Sequence, residues 1–598
     1  MAKLSDAQNL ILNPNIRLVE AGPGAGKTRA IVRRFIEISE HSSRGVAFLS
    51  FTNAAVSEAT SRCVDTPSVI HAPNFIGTFD RFLHRYLVTP AVVRETGKQP
   101  QYVDSWNDIS DSRGMAPKIR HKDVHGTGLL LSNFRIDADG EVSYPVETPK
   151  ADESYVASLR KEGTFPVDLL WKAKNRIHSL VKSGLYDSDQ SRLKALTLLR
   201  DRHSEWLQQR LADRFEEIIV DEFQDCSSLD HKIISGLESI GIRIVAVADP
   251  DQAIYEFRHA SPEAYARYRS QLDETEIVRL DENYRSSHVI CALISSLRTI
   301  GDGRIIARRP VDSINRCAER IHVVSGDYLD ARLKFDELST GLDISRSERI
   351  ALSATRKGAA ALAGRESIEA IGKHCSSQLL QGLAILRESR VASVRKEAIS
   401  QIEDLILATF RFPDDPGCKT KQARLEIAGL TPGDLRGIVG ILLSEARDWI
   451  SPAAAIESMR DVISAELARG CIAIKPAKTR FKDLESADWN RWKRSSGSMH
   501  DLSILSAAHT YAVKGKEYDA VLLDIEESPK GGRPHILDLW RSGETHEAVR
   551  VLYVGASRAR RLLVLATSPR HFSTLRDLLE DANIPAEYEE AGMLALPV

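Results

Sequence analysis

The sequence predicts an α/β protein: two units built on parallel sheets, each interrupted by a mainly helical insertion. Three observations predict it. Short apolar runs alternate with helical patterns in both halves of the chain. A glycine-rich loop ending in Lys-Thr joins the first such run to a helix. Two long stretches without clear strand patterning, residues 87–210 and 366–500, separate the runs into groups. Apolar runs alternating with helices read as a parallel sheet wrapped by helices.

Taken in order, Ile16 to Val19 reads as a strand, Ala21 to Lys27 as a loop and Thr28 to Ser39 as a helix. Val46 to Ser50 is a second buried strand, followed by a helix from Ala54 to Arg62. The first interruption is polar and becomes helix-like from Phe165 to Leu211; strands then resume at Ile218 to Val220 and Ile244 to Ala248. In the second half, strands at Arg320 to Val324 and Arg349 to Ser353 precede the long helix-rich stretch, which contains Leu379 to Leu386 and Ala398 to Phe410. Strand patterns return at Ile504 to Ala507, Ala520 to Asp524 and Leu562 to Ala566, and Leu575 to Leu579 falls in a last helix. A chain of 598 residues exceeds one ordinary core, and roughly four domains of about 150 residues are expected.

Composition narrows the function classes. An apolar share of 42% and a charged share of 27% fit a globular protein. No apolar run approaches the roughly 20 residues that span a bilayer, so no membrane is expected. The opening Met1 to Asp6 has no signal-type apolar stretch, which makes a cytoplasmic location the expectation. The 7 cysteines form no CxxC pair, which argues against a zinc site or a disulfide framework. A net charge of −2 gives no basic footprint, although a narrow groove can be locally basic on a neutral protein.

The chemistry is carried by short motifs. Ala21-Gly22-Pro23-Gly24-Ala25-Gly26-Lys27-Thr28 is a phosphate-binding loop: its glycines let backbone N–H groups close around phosphate oxygens, and the next helix points its positive end at them. Lys27 is expected to reach the β- and γ-phosphates of ATP, and the Thr28 hydroxyl to ligate Mg²⁺. Asp221-Glu222 follows an apolar strand, which places one carboxylate to hold Mg²⁺ and the next to orient or deprotonate the attacking water. Alone such a pair is more often a solvated turn; on the same sheet as the loop it becomes specific.

Asp221-Glu222-Phe223-Gln224-Asp225 resembles the signature of superfamily 1 helicases of the UvrD/Rep/PcrA group, and further segments resemble that family's motifs in its order. They are Leu4 to Gln8, Phe51 to Ala55, Gly77-Thr78-Phe79, Ala248 to Arg258, Asn283 to Ser286, Lys514 to Asp519 and Arg550 to Arg560. The resemblance implies two RecA-like domains. The expected division is 1–86 and 211–285 for the first, with insertion 87–210, and 286–365 and 501–598 for the second, with insertion 366–500.

It also implies roles. Gln8 would contact the adenine and Tyr284 stack on it, Glu517 would reach the ribose, and Gln252 would sense the γ-phosphate. Arg285 and Arg558 would be arginine fingers, a device worth about 10³–10⁵ in rate. The single-stranded DNA track would run over Phe51, Thr52, Asn53, Thr78, Phe79, Tyr255, Phe257 and Arg258. Tyr255 and Phe257 would stack on successive bases, at about 1–3 kcal/mol each.

Two places depart from the family pattern. The Thr-x-His expected before Lys514 is replaced by His509-Thr510-Tyr511, and the histidine often found after Gly-Thr-Phe is Asp80. The activity implied is ATP-dependent 3′-to-5′ translocation on single-stranded DNA with unwinding at single-strand/duplex junctions. A second reading, a DNA-stimulated ATPase that senses strands for a partner nuclease or repair protein, as compact relatives do in anti-phage systems such as Gabija, fits the altered motif and the small inserts. The residues beyond about 566 are too few for a fused nuclease, so that activity is expected from a partner.

Overall fold

A computed structural model of the chain describes residues 4–590, apart from 111–115, 150, 255–260, 302, 310–317, 364–374, 389–391, 410–418, 468–480, 482, 485, 498–504 and 528–533. Strands β1 (Leu18–Ala21), β2 (Gly45–Ser50), β3 (Phe75–Thr78), β4 (Phe215–Val220), β5 (Arg243–Ala248) and β6 (Ile277–Leu280) form a six-stranded sheet in the order β6-β1-β5-β4-β2-β3. Every pairing is parallel. Strands covered on both faces lose the polar alternation of a half-exposed sheet, which is why they read as unbroken apolar runs. Successive side chains still point to opposite faces: Leu18, Leu49, Ile218 and Val220 enter one core, Val19, Phe48, Ile219 and Val247 the other.

Helix α1 (Lys27–His41) leaves the sheet after β1, and α2 (Asn53–Arg62) after β2. Arg34 on α1 and Glu217 on β4 are 1% and 0% exposed, and the guanidinium Nε and Nη2 each donate to the carboxylate at 2.7 Å. A bidentate pair with no access to water fixes the helix against the sheet, because either partner alone would be an uncompensated buried charge.

The second sheet contains β7 (Ile321–Ser325), β8 (Arg349–Ser353), β9 (Ala507–His509), β10 (Tyr518–Asp524), β11 (Ala559–Thr567) and β12 (Ala586–Glu590), in the order β9-β8-β10-β11-β7-β12. It too is wholly parallel. Helices α3 (His288–Ser296) and α4 (Glu547–Ala556) cover one face over Ile321, Val323, Ile350 and Leu563. Phe335 and Leu362 cover the other, over Val324, Ala351 and Leu522. The edge strand β12 has no counterpart in the sequence reading. Phe410 and Ile504, at the ends of two expected elements, lie outside the described residues.

The units interdigitate at the segment after β5. Ile254 is fully buried in the core of the second sheet. Asp251, 0% exposed, accepts backbone N–H bonds from Thr299 at 2.8 Å and from Ile300 and Gly301 at 2.9 Å, all just beyond α3.

The first insertion has its own core, with Trp106, Tyr155, Leu159 and Ile177 at its centre. Besides helices such as Glu153–Lys161, Leu170–Lys182 and Ser188–Arg200, it holds two-residue ladders, among them Lys118–Ile119 with Leu129–Leu130 and Arg135–Ile136 with Val142–Ser143. The second insertion is helical around Leu379, Leu383, Ile402, Leu442 and Trp492. The insertions meet where Lys419–Thr420 pairs antiparallel with Ile109–Ser110. No single helix among the described residues is long and apolar enough to cross a membrane.

Candidate active site

In a parallel sheet, ligands bind beyond the carboxyl ends of the strands, and the glycine-rich loop lies there after β1. Gly24 and Gly26 have φ of 71° and 72°, a region that disfavours any side chain. Space also forbids one: a Cβ at Gly24 would stand 2.6 Å from Asn283 Oδ1, and at Gly26 2.6 Å from Gln8 Nε2. The loop is buttressed from behind. Gln8, 1% exposed, donates to Ala25 O at 2.8 Å and accepts from Arg29 at 2.8 Å. Asn283 Nδ2 donates to Pro23 O at 2.7 Å, and the Tyr284 N–H to Gly24 O at 2.9 Å.

Asp221 and Glu222 emerge from β4 at the same edge. Glu222 takes a left-handed backbone, φ 56°, rare for a residue with a side chain and often found at functional sites. Lys27 Nζ lies 2.7 Å from Glu222 Oε1 and 3.3 Å from Asp221 Oδ1. Burial would push the lysine down, but Asp221, Glu222 and Asp249 hold its ammonium above the ordinary value. Burial and the neighbouring Glu222 charge raise Asp221 to about 6. Glu222 goes the other way, held at about 2 against burial by Lys27 and Lys514. Asp221 Oδ1 is buried, and the Lys27 ammonium at 3.3 Å is the charge it faces. Among the described residues no group of three or more His, Cys, Asp or Glu could cage a metal by itself.

Residues of the second unit close the other wall. A cavity of about 700 Å³ is lined by Gly22 to Thr28, Asp221, Glu222, Gln252, Tyr284, Arg285, Glu517 and Arg558, among others. Arg558, 2% exposed, reaches Gln252 Oε1 at 3.3 Å; burial, then the nearby Arg285 charge, lower it to about 10. Arg285 pairs with Glu517 at 2.7 Å, and Arg560 Nε approaches the same carboxylate at 3.0 Å. These two cations hold Glu517 below the ordinary glutamate value despite its burial. Tyr284 is 40% exposed, and its hydroxyl donates to Glu282 at 2.6 Å.

The residues expected on the DNA track fare differently. Tyr255, Phe257 and Arg258 lie outside the described residues. Phe79 requires correction: it is 0% exposed within the core of the first sheet, so its ring cannot meet a strand. It instead supports the half-buried Phe51, with ring centroids 5.4 Å apart and planes at 23°. Asn53 is exposed. The Thr52 and Thr78 hydroxyls cap helices, accepting from the Ala55 and Arg81 N–H groups at 3.2 Å. Asp80 is held by Arg192 at 2.7 Å. In the altered segment Thr510 is buried and donates to Ser353 O at 3.3 Å, while the Tyr511 hydroxyl donates to Glu547 at 3.3 Å.

Sequence reasoning missed Lys514, Asp225, Asp249 and Tyr553. Lys514, from the second unit, crosses the cleft: its Nζ lies 2.8 and 2.7 Å from the Asp225 oxygens and 3.0 Å from Gln252 O. Its place in the matched segment beside Glu517 was a usable signal.

Residues 4–273 match the model of the UvrD/REP helicase N-terminal domain. The chain is 24% identical over 345 residues to DNA helicase II of Salmonella typhimurium and 25% identical over 345 residues to that of Escherichia coli, matches covering 54% of this chain and 44% of each relative. It is 28% identical over 289 residues to DNA helicase II of Haemophilus influenzae, covering 45% and 36%. The chain thus spans less than half the length of these relatives.

Proposed function

We propose that this chain, whose residues 4–273 match the UvrD/REP helicase N-terminal domain, is a member of the UvrD/Rep group of superfamily 1 that couples ATP hydrolysis to 3′-to-5′ movement on single-stranded DNA and to duplex unwinding. The observation that carries the reading is one cavity lined from the first unit by Lys27, Asp221, Glu222 and Gln252, from the segment joining the units by Arg285, and from the second unit by Glu517 and Arg558. In it the helix N-terminus and Lys27 receive the triphosphate, and Tyr284 offers a ring for the base. Thr28 and Asp221 would hold Mg²⁺, which when bound supplies charge neutralisation to the phosphates. Glu222 orients or deprotonates the attacking water, and the Lys27 and Lys514 charges keep it ionised near neutral pH despite its burial. Arg285 and Arg558 stabilise charge on the transferring phosphoryl group. Lys27 lies against Asp221 and Glu222, so a bound phosphate would compete with these carboxylates for its ammonium. Because the fingers stand across the cleft, hydrolysis requires closure and release permits opening, which ties turnover to domain motion.

The test is ATP-dependent unwinding of duplexes bearing a 3′ or a 5′ single-stranded tail, with Lys27→Ala and Glu222→Gln as controls. Unwinding of the 3′-tailed substrate alone is expected. Strand-stimulated ATPase without unwinding favours a sensing subunit for a partner nuclease. ATPase indifferent to DNA refutes the nucleic-acid reading.

A further inference from the structure

Asp249 and Tyr553 are both 0% exposed, one just after β5 and the other on α4, and they meet at the seam between the units. The phenol oxygen lies 3.1 Å from Asp249 Oδ2 and 3.4 Å from Oδ1. Asp249 Oδ2 also accepts from Gln252 Nε2 at 2.8 Å, which turns Gln252 Oε1 to Arg558 Nη2. A carboxylate only accepts hydrogen bonds, so Asp249 dictates which end of the Gln252 amide faces it and which faces the cavity. The Asp249 N–H donates to Gln224 Oε1 at 3.1 Å, and Gln224 Nε2 donates to Glu222. One residue therefore sits behind both Gln252 and Glu222.

We propose that Tyr553 is a positioning residue whose hydroxyl, through Asp249, fixes the Gln252 amide with Oε1 toward the attacking water and the γ-phosphate. The inference rests on the ATP-hydrolysing reading above. Tyr553 belongs to the second unit and Asp249 to the first, so the carboxylate that orients the amide is itself held by this hydrogen bond only while the units are in contact. Misalignment in an open cleft then suppresses futile hydrolysis.

The experiment measures steady-state ATP turnover of the full chain with single-stranded DNA, together with equilibrium binding of a fluorescent ATP analogue. Tyr553→Phe removes one hydroxyl. Loss of a hydrogen bond to a charged acceptor predicts a fall in kcat of about tenfold or more. KM and analogue affinity should stay within about twofold, since the hydroxyl does not touch the nucleotide. In a Gln252→Ala background the same substitution should change kcat by less than about twofold, because the group it positions is gone. Asp249→Asn, whose amide can offer either end, should reproduce the kcat loss, and thermal unfolding of each variant identifies any loss of fold. Losses that multiply between Tyr553→Phe and Gln252→Ala overturn the inference, as does a change in KM alone. Lys27-dependent turnover with Tyr553→Phe at the wild-type kcat refutes this inference only. Absence of Lys27-dependent turnover in the wild type refutes the underlying reading and this inference with it.

Discussion

Lys514→Ala removes the cation that the second unit sends across the cleft. At 2.7 Å from Asp225 and an effective dielectric of about 20, the pair attracts by about 6 kcal/mol before desolvation. Both side chains are nearly dry, 6% and 3% exposed, so desolvation takes back a large part of that sum. Removing one partner of a buried pair costs about 3–5 kcal/mol, chiefly because the other charge is stranded. Burial already raises Asp225 toward about 6 even with Lys514 beside it. Three kcal/mol taken from the closed cleft corresponds to about 10² in rate if closure precedes hydrolysis. ATP turnover of Lys514→Ala with single-stranded DNA should therefore fall about 10²-fold. Adding Asp225→Asn, which removes the stranded charge, should recover about tenfold, within the usual range of coupling between contacting residues. Lys514→Ala within about threefold of wild type, or a double variant no faster than the single one, would refute this reasoning.

Three further outcomes follow from the site. Asp221 must be ionised to serve a metal and is raised to about 6, so kcat/KM should fall as pH drops through about 6, while Glu222, held at about 2, adds no limb there; a profile flat down to pH ~5 contradicts this. Gly24→Ala forces a side chain into a left-handed backbone and against Asn283, so binding of a fluorescent ATP analogue should be lost, and unchanged affinity would count against the loop geometry. Phe79→Ala should lower stability by about 3–5 kcal/mol as a core cavity, whereas Phe51→Ala should chiefly weaken DNA-stimulated turnover; denaturant unfolding and ATPase titrations with DNA separate the two.

What the sequence made legible was what local spacing encodes. The loop from Gly22 to Thr28 needs glycines, a lysine and a hydroxyl in fixed succession, and the central strands β2, β4 and β5 are apolar because helices cover both their faces. Tyr284, Arg285 and Arg558 were found only as parts of matched segments, since an isolated arginine carries no mark of the cleft it will face. Lys514, Asp249 and Tyr553 escaped because their role lies in contacts between units hundreds of residues apart. Strand β12, Ala586–Glu590, reads as a polar tail and is defined by pairing with β7 at the sheet edge. The ladders of the first insertion are two residues long, too short for a period to appear. Phe79 misled because the same aromatic residue suits a base stack and a core, and burial decides between them.

The claim that the cleft is a composite catalytic site is tested most directly by ATP turnover of Arg558→Ala beside its affinity for the nucleotide. An arginine finger supplied by the second unit predicts a fall in kcat of about 10³-fold or more, with nucleotide binding changed by only a few-fold. Wild-type turnover in Arg558→Ala, with Lys27→Ala inactive, would place hydrolysis within the first unit alone and contradict the account.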